Sequence, residues 1–424
     1  MTFGSLGLCD ELLHTVVEQG YTTPSPIQIQ AIPAVLSQRD VMAVAHTGTG
    51  KTASFTLPLL QLLAAEYSQN DIIQSSPSQQ SQRVRALIIT PTRELAVQVA
   101  LSVQNYSRHM NIRSAAVFGG VRIEPQLTQL QAGLDVLVAT PGRLVDLCNQ
   151  QAVNFEQLEI LVLDEADRML DLGFIDDIRH IQTLLPNKPQ TLMFSATFSK
   201  EIKSLAKGML NNPILIEVAA LKSTVDRIKQ KLHPVEKGRK SEVLIHLIKK
   251  NNWRQVLVFS RTKQGADNLV IQLEKAGVNA ASIHANRTQH ARTLALESFK
   301  NGNVVVLVAT DLASRGIDVN QLPCVVNFDL PYVPEDYVHR IGRTGRAGTS
   351  GLAISLFSED ESKQLQSIER FIGRKFEREI IPGFAPINRA PADTSDDDEY
   401  GNFEADTKPR GRGQSKRRGS RRGK

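Results

Sequence analysis

At 424 residues, 41% of them hydrophobic and 22% charged, the chain is long enough for two folded domains with extensions and apolar enough for packed cores. Its net charge of +6 is concentrated: residues 408–424 hold nine Lys/Arg and no acid, leaving 41 basic against 44 acidic side chains in the other 407 residues. Any anion-binding surface on the folded body must therefore come from particular residues rather than from bulk charge. No apolar run approaches the roughly 20 residues of a membrane-spanning helix, so no membrane partner is expected. Met1–Gly20, with Asp10, Glu11 and Glu18 but no Lys or Arg, lacks the basic region of a signal peptide. Cys9, Cys148 and Cys324 lie far apart without metal or redox spacing, which predicts reduced thiols in a cytoplasmic protein.

Short, wholly apolar runs alternate with helical stretches along the chain. Val41–Ala45, Ala86–Thr90, Ala115–Phe118, Val136–Ala139, Ile160–Leu163 and Leu192–Ser195 read as strands buried on both faces, as in a parallel sheet covered by helices. The segments between them, such as Arg93–Met110 and Phe174–Leu185, have helical length and periodicity, which predicts α/β units with right-handed crossovers. Leu221–Gly238 is polar and charged, with Pro234 inside it. Beyond it the same grammar restarts at Val256–Ser260, Ala281–His284, Val304–Ala309, Val325–Phe328 and Leu352–Phe357. The expected organisation is a region at 1–30, an α/β domain over 31–218, a linker over 219–230 and a second α/β domain over 231–380. An acidic then basic tail over 381–424 has lost hydrophobic periodicity and reads as disordered, as does the Gln/Ser-rich loop Ser68–Gln82.

Ala45-His46-Thr47-Gly48-Thr49-Gly50-Lys51-Thr52 follows the first strand and opens a helix expected over Lys51–Leu63. Backbone N–H groups and the positive helix N-terminus can there surround phosphate oxygens. Lys51 is placed for the β/γ-phosphates and Thr52 for Mg²⁺. Ile160–Leu163 ends in Asp164-Glu165-Ala166-Asp167. An acid at the end of an apolar strand, with a phosphate loop upstream, is where phosphate-loop ATPases hold Mg²⁺, directly or through water, and Glu165 is placed to orient or deprotonate the attacking water. In the second half, His339-Arg340-Ile341-Gly342-Arg343-Thr344-Gly345-Arg346 spaces three arginines three residues apart, with glycines that break a helix into a turn. Arg343 and Arg346 are read as arginine fingers for the charge that develops on a transferred phosphoryl group.

With Pro91-Thr92-Arg93-Glu94-Leu95-Ala96, Gly119-Gly120, Thr140-Pro141-Gly142-Arg143, Ser195-Ala196-Thr197 and Ala309–Asp318 added in order, the chain resembles the DEAD-box ATP-dependent RNA helicases over about residues 1–375. Its short N-terminus, compact core and basic tail are most similar to the bacterial RhlE-type members. The resemblance implies two tandem RecA-like domains, with ATP and RNA bound across the cleft between them. Gly20, Tyr21, Pro24, Ile27 and Gln28 resemble the family's adenine-recognising Q motif, with Phe3 as its upstream aromatic. Gln28 can offer a donor and an acceptor to the adenine edge and Tyr21 a stacking ring, which implies ATP rather than GTP. Gly316 and Asp318 resemble the motif that meets the ribose from the second domain. Pro91, Thr92, Arg93, Gly120, Thr140 and Arg143 on the first domain, and Arg261, Gln289, Arg292 and Thr310 on the second, are implied to hold the RNA backbone. Such contacts carry little sequence information. Asp167, Ser195, Thr197 and His339 resemble the set that couples nucleotide state to domain closure.

The resulting expectation is an RNA-stimulated ATPase that unwinds short duplexes or remodels RNA–protein complexes, with Mg²⁺ as cofactor. A DNA helicase and an ATP-gated RNA clamp remain as alternatives. Ribosomal particles (ribosome biogenesis) and RNA-decay machinery are open as partners, and the basic tail suits a loose electrostatic grip on RNA.

Overall fold

In the computed structural model, the described residues are 1–45, 49–70, 84–185, 189–218, 228–314, 319, 322–345 and 351–385. They hold two parallel sheets. The first runs β1 (Val41–Val44), β2 (Ala86–Ile89), β3 (Ser114–Val117), β4 (Val136–Ala139), β5 (Ile160–Leu163), β6 (Gln190–Ser195) and β7 (Ile214–Glu217) along the chain, in spatial order β3-β4-β2-β5-β6-β1-β7. The second is six-stranded, from β8 (Ile228–Pro234), β9 (Val256–Phe259), β10 (Ala280–Ile283), β11 (Val306–Ala309), β12 (Cys324–Asn327) and β13 (Gly351–Phe357), in the order β10-β11-β9-β12-β13-β8.

The apolar runs become central strands because each face of the sheet has its own core. In β1, Val41 and Ala43 join one buried cluster with Phe55, Leu60 and Phe194. Met42 and Val44 join the other with Leu163, Met169 and Ile178. A strand with both faces covered needs no polar alternation, so the run reads as continuous hydrophobicity. β2, β4 and β5 repeat this, every residue buried.

Two strands went unread in the sequence, both at sheet edges. β7 has only Ile216 buried. β8 begins inside the segment expected as linker; residues 219–227 of that segment lie outside the described residues. Ile228-Lys229-Gln230-Lys231-Leu232-His233-Pro234 pairs along its length with β13, while its other edge carries only a bridge from Leu232 to Arg378, so most of that edge needs no ladder partner and polar residues and a terminal proline are tolerated. Gly345 packs so closely on this strand that a Cβ there would lie 2.7 Å from the Ile228 side chain.

The first-domain helices are α1 (Asp10–Glu18), α2 (Pro26–Leu36), α3 (Lys51–Asn70), α4 (Arg93–Tyr106), α5 (Glu124–Gln131), α6 (Pro141–Asn149), α7 (Ala166–Asp171), α8 (Ile175–Leu184) and α9 (Lys200–Met209). α3 runs on to Asn70, past the expected end at Leu63. Ser68–Asn70, expected in the Gln/Ser loop, belong to α3; residues 71–82 of that loop lie outside the described residues, as does the tail from 386. Among the described residues no helix is long and apolar enough to cross a membrane.

Candidate nucleotide and RNA site

The strand order decides what meets at the carboxyl edge of the first sheet, where open α/β folds bind ligands. β6 lies between β1 and β5, so Ser195-Ala196-Thr197 falls between the loop after β1 and the acids after β5. Ala45, at the start of that loop, donates its N–H to the Ser195 carbonyl at 2.9 Å. Asp167 accepts from the Ala196 N–H at 3.1 Å through Oδ2 and from the Arg168 N–H at 3.0 Å through Oδ1. The Thr197 N–H donates to Ser195 Oγ at 3.3 Å. One carboxylate thus ties the acidic segment to the Ser-Ala-Thr turn. His339, half-buried near the end of the helix Pro334–Ile341, belongs to the second domain.

Residues 46–48 lie outside the described residues, and Thr49 and Gly50 pick up the chain at the start of α3. Lys51 is 6% exposed and Asp164 3%, yet neither Lys51 Nζ nor Asp164 Oδ1 has a hydrogen-bond partner among the described residues. Burial pushes the Asp164 carboxyl above the usual carboxylate range, Lys51 opposes that shift, and Glu165 and Asp167 add to it. Leaving a buried charged group unpaired costs free energy, so this pair marks a site built for a charged ligand. Glu165 is also buried and takes a left-handed backbone (φ 54°, ψ 52°) at the start of α7. A non-glycine residue there is strained, and such strain clusters at functional sites.

Gln28 sits on α2 and is buried. Its Oε1 accepts from the Ser25 N–H at 2.8 Å and its Nε2 donates to the Gly50 carbonyl at 3.3 Å. Gly50 has φ 91°, and a Cβ there would lie 2.5 Å from Gln28 Nε2, so the close approach requires glycine. Gln28 is therefore bonded directly to the phosphate loop, a link the sequence did not reveal. Tyr21 is 40% exposed, stacks 6.5 Å from the buried Phe3 ring, and shares a 3.1 Å hydrogen bond with the Tyr106 hydroxyl. Thr52 is half-buried in the first turn of α3.

The expected RNA residues of the first domain line the loops after β2, β3 and β4. Thr92 caps α4 by accepting from the Leu95 N–H, beside the buried Pro91. Thr140 precedes α6 and donates its N–H to the Val117 carbonyl at 3.1 Å. Arg143 is buried; one Nη donates to the Val121 carbonyl at 2.9 Å, while Nε and Nη1 lack hydrogen-bond partners among the described residues. The Arg93 guanidinium lies against Gly120, where a Cβ would come within 2.1 Å of it and φ is +74°. Gly120→Ala is expected to displace that guanidinium and strain the turn by about 1–3 kcal/mol. Its RNA affinity should fall and its unfolding midpoint drop, whereas Gly119→Ala, with nothing within 4 Å, should match wild type in both measurements.

On the second domain, the Arg261 N–H donates to Asp329 Oδ2 at 2.8 Å, and its guanidinium meets Glu361 Oε1 at 2.7 Å and stacks 4.7 Å over Tyr332. Buried Glu361 also takes the Lys240 ammonium at 2.6 Å and the Leu330 N–H at 2.9 Å. Thr310, buried, donates its N–H to the Ile283 carbonyl at 3.3 Å. Gln289 and Arg292, on the helix Gln289–Lys300, meet the first domain instead of standing free. Gln289 Nε2 donates to Glu94 Oε1 at 2.9 Å and Arg292 Nη2 pairs with Glu94 Oε2 at 2.8 Å. Burial lowers the Arg292 pKa from its usual value and Glu94 opposes that. Glu94 lies inside the quoted Pro91–Ala96 run, but a partner 195 positions away leaves no signal in spacing.

The arginine run divides by role. Arg340 is 2% exposed and held by Asp311 at 2.5 and 2.7 Å, Asn327 at 3.1 Å and the Asp329 carbonyl at 2.6 Å, which makes it a structural strut. Arg343 follows the break at Gly342, its carbonyl accepting from the Leu322 N–H at 3.1 Å. Arg346, Gly316 and Asp318 lie outside the described residues, as do His46, Thr47 and Gly48.

Residues 25–205 match the DEAD/DEAH box helicase family model and residues 239–348 the helicase conserved C-terminal domain. The chain is 41% identical over 383 residues to the ATP-dependent RNA helicase RhlB of Pseudomonas syringae, covering 90% of this chain and 95% of that one. It is 40% identical to the DEAD-box ATP-dependent RNA helicase CshA of Bacillus cereus, covering 90% of this chain and 70% of that one. Among solved structures it resembles S. cerevisiae Dbp5 bound to RNA and ADP BeF3, with 31% identity, a TM-score of 0.78 and coverage of 90% and 95%. Mss116p bound to ssRNA and AMP-PNP is similar at 27% identity and a TM-score of 0.78, covering 90% of this chain and 80% of that one. Two RecA-like parallel-sheet domains, the phosphate loop with its buried Lys51–Asp164 pair and these relatives agree: the chain belongs to the DEAD-box family and is an ATP-hydrolysing RNA helicase.

Proposed function

We propose that ATP and RNA together draw the two domains shut and that hydrolysis reopens them. The observation that carries this is the Glu94 contact. It joins the helix after β2 on the first domain to Gln289 and Arg292 on the second, among residues expected to hold the RNA backbone. RNA bound by both domains favours the closed state by its differential affinity for that state. The closed state is the one in which Arg343 and Arg346 reach the γ-phosphate. Tyr21 and Gln28 read adenine, Gly316 and Asp318 meet the ribose, and Asp167, Ser195, Thr197 and His339 carry the nucleotide state to the cleft.

Mg²⁺ suits this site on the chemistry of its donors. It is a hard cation that takes carboxylate and hydroxyl oxygen, and Asp164 Oδ1 is buried without a hydrogen-bond partner among the described residues. Asp164 and Thr52 would hold it, and when bound it neutralises charge on the phosphates. Around that position Lys51 binds the β/γ-phosphates and Glu165 accepts the proton of the attacking water.

RNA recognition is through backbone groups and largely indifferent to sequence, with the tail at 408–424 adding a salt-sensitive grip. The RhlE-type assignment rests on the compact core and that basic tail, although the relatives carry the names RhlB, CshA and RhpA. A cytoplasmic location and work on ribosomal particles or in RNA decay fit an RNA helicase with three free cysteines. Arg292→Ala tests the shared cleft. Losing one charge-assisted contact of about 1.5 kcal/mol raises the RNA concentration for half-maximal ATPase stimulation roughly tenfold. An unchanged value would remove Arg292 from the RNA site.

A further inference from the structure

On the face of α1 away from the core, His14 and Glu18 stand one helical turn apart, and His109 reaches them from the turn after α4. His14 Nδ1 lies 3.2 Å from His109 Nε2 and 3.5 Å from Glu18 Oε1, and His109 Nε2 lies 3.2 Å from Glu18 Oε2. These atoms lie within 4.8 Å of one another, and this is the one His/Cys/Asp/Glu group of its kind among the described residues. None of the three belongs to the ATP or RNA machinery described above.

We propose that His14, Glu18 and His109 form a surface site for a zinc-class divalent transition metal, with water in the fourth position. The separations carry this. Zinc binds imidazole nitrogen and carboxylate oxygen at about 2.0–2.2 Å in a tetrahedron, whose edges are then about 3.3–3.5 Å. The two imidazole nitrogens lie 3.2 Å apart, close to that edge, and each lies 3.2–3.5 Å from a different oxygen of the Glu18 carboxylate; with one donor atom from each residue the set stays within 4.8 Å, so an ion can enter once the carboxylate turns one oxygen toward both rings. The chemistry agrees: two imidazoles and a carboxylate suit zinc, whereas magnesium and calcium favour oxygen alone.

Without metal, one imidazole N–H must lie between His14 Nδ1 and His109 Nε2. Binding turns both lone pairs toward the ion, so that proton moves to the far nitrogen of the same ring, a change of tautomer rather than of charge. Binding also requires both ring nitrogens unprotonated, so protons compete with the ion. Arg108, 3.1 Å from Glu18 Oε2, competes for the carboxylate and keeps the site weaker than a buried one. The ion would pin α1 to the end of α4, the seam where the Tyr21 and Tyr106 hydroxyls meet.

The test uses the full chain without a histidine tag, with its cysteines kept reduced by a non-chelating phosphine, and zinc chloride alone as the probe. The expected result is one equivalent bound, with a dissociation constant raised roughly tenfold or more in the His14→Ala/His109→Ala variant. Zinc should raise the unfolding midpoint of wild type and not that of the variant. Cobalt(II) should give the intense visible bands of a tetrahedral ion in wild type only. Cys9→Ser should bind as wild type does, because Cys9, at the other end of α1, is not a ligand. No binding at submillimolar zinc, equal affinity in the double-histidine variant, or loss of binding in Cys9→Ser would each overturn the site.

Discussion

Glu165→Gln is expected to lower RNA-stimulated ATP turnover by about 10²–10⁴-fold, the range for removing a general base, while ATP and RNA still bind. The substitution preserves volume at a buried position and keeps a side-chain oxygen, but an amide does not take up the proton of the attacking water. The neighbouring Lys51 and Asp164 are untouched, so the phosphates should still be held. If closure needs both ligands and reopening needs hydrolysis, as proposed, the variant should hold RNA longer than wild type when ATP is present. Steady-state ATPase and RNA dissociation in ATP, measured together, separate this from misfolding: a misfolded variant loses both, a base-less one loses only turnover. Turnover within a few-fold of wild type would move the base elsewhere.

Arg343→Ala should lower RNA-stimulated kcat by about 10³-fold or more, as expected for an arginine finger. Arg343→Lys should recover little, because an ammonium is a point charge without the planar fork that matches phosphoryl oxygens. Arg343 comes after the helix has broken at Gly342, and its carbonyl, which any residue there supplies, keeps the bond to the Leu322 N–H. The backbone is therefore expected to survive the change. Arg343 is itself buried, so the unfolding midpoint of each variant is measured beside kcat; for Arg340, three residues earlier, an effect on folding is expected to dominate. Its guanidinium is held by Asp311, Asn327 and the Asp329 carbonyl, so its removal leaves the buried Asn327 and the half-buried Asp311 without that partner and acts on folding.

What the sequence disclosed follows from where geometry is local. A phosphate loop between an apolar strand and a helix, or an acid at the end of a buried strand, is built by residues adjacent in the chain, so Ala45–Thr52 and Asp164–Asp167 could be read directly. Central strands were legible because both faces are buried. β8 was not, because an edge strand whose second side carries only the Leu232–Arg378 bridge accepts Lys229, Gln230 and Lys231 and reads like a linker. Long-range partners were equally hidden. Glu94 sits in a recognised motif, yet its meeting with Gln289 and Arg292 depends on how two domains face each other. Glu361, which fixes Arg261, lies 100 positions from it. Gln28 was assigned to adenine, but its bond to the Gly50 carbonyl emerges only once α2 lies against the start of α3.

In the proposed cycle the second domain makes hydrolysis depend on RNA. It is tested most directly by the steady-state ATPase rate of the full chain alone, with single-stranded RNA and with DNA of the same sequence. A large stimulation by RNA is predicted, since in the proposed closed state Arg343 reaches the phosphate only when a strand spans both domains, and little by DNA if those contacts include the 2′-hydroxyl. Equal rates with and without RNA would mean that the second domain does not couple RNA to hydrolysis.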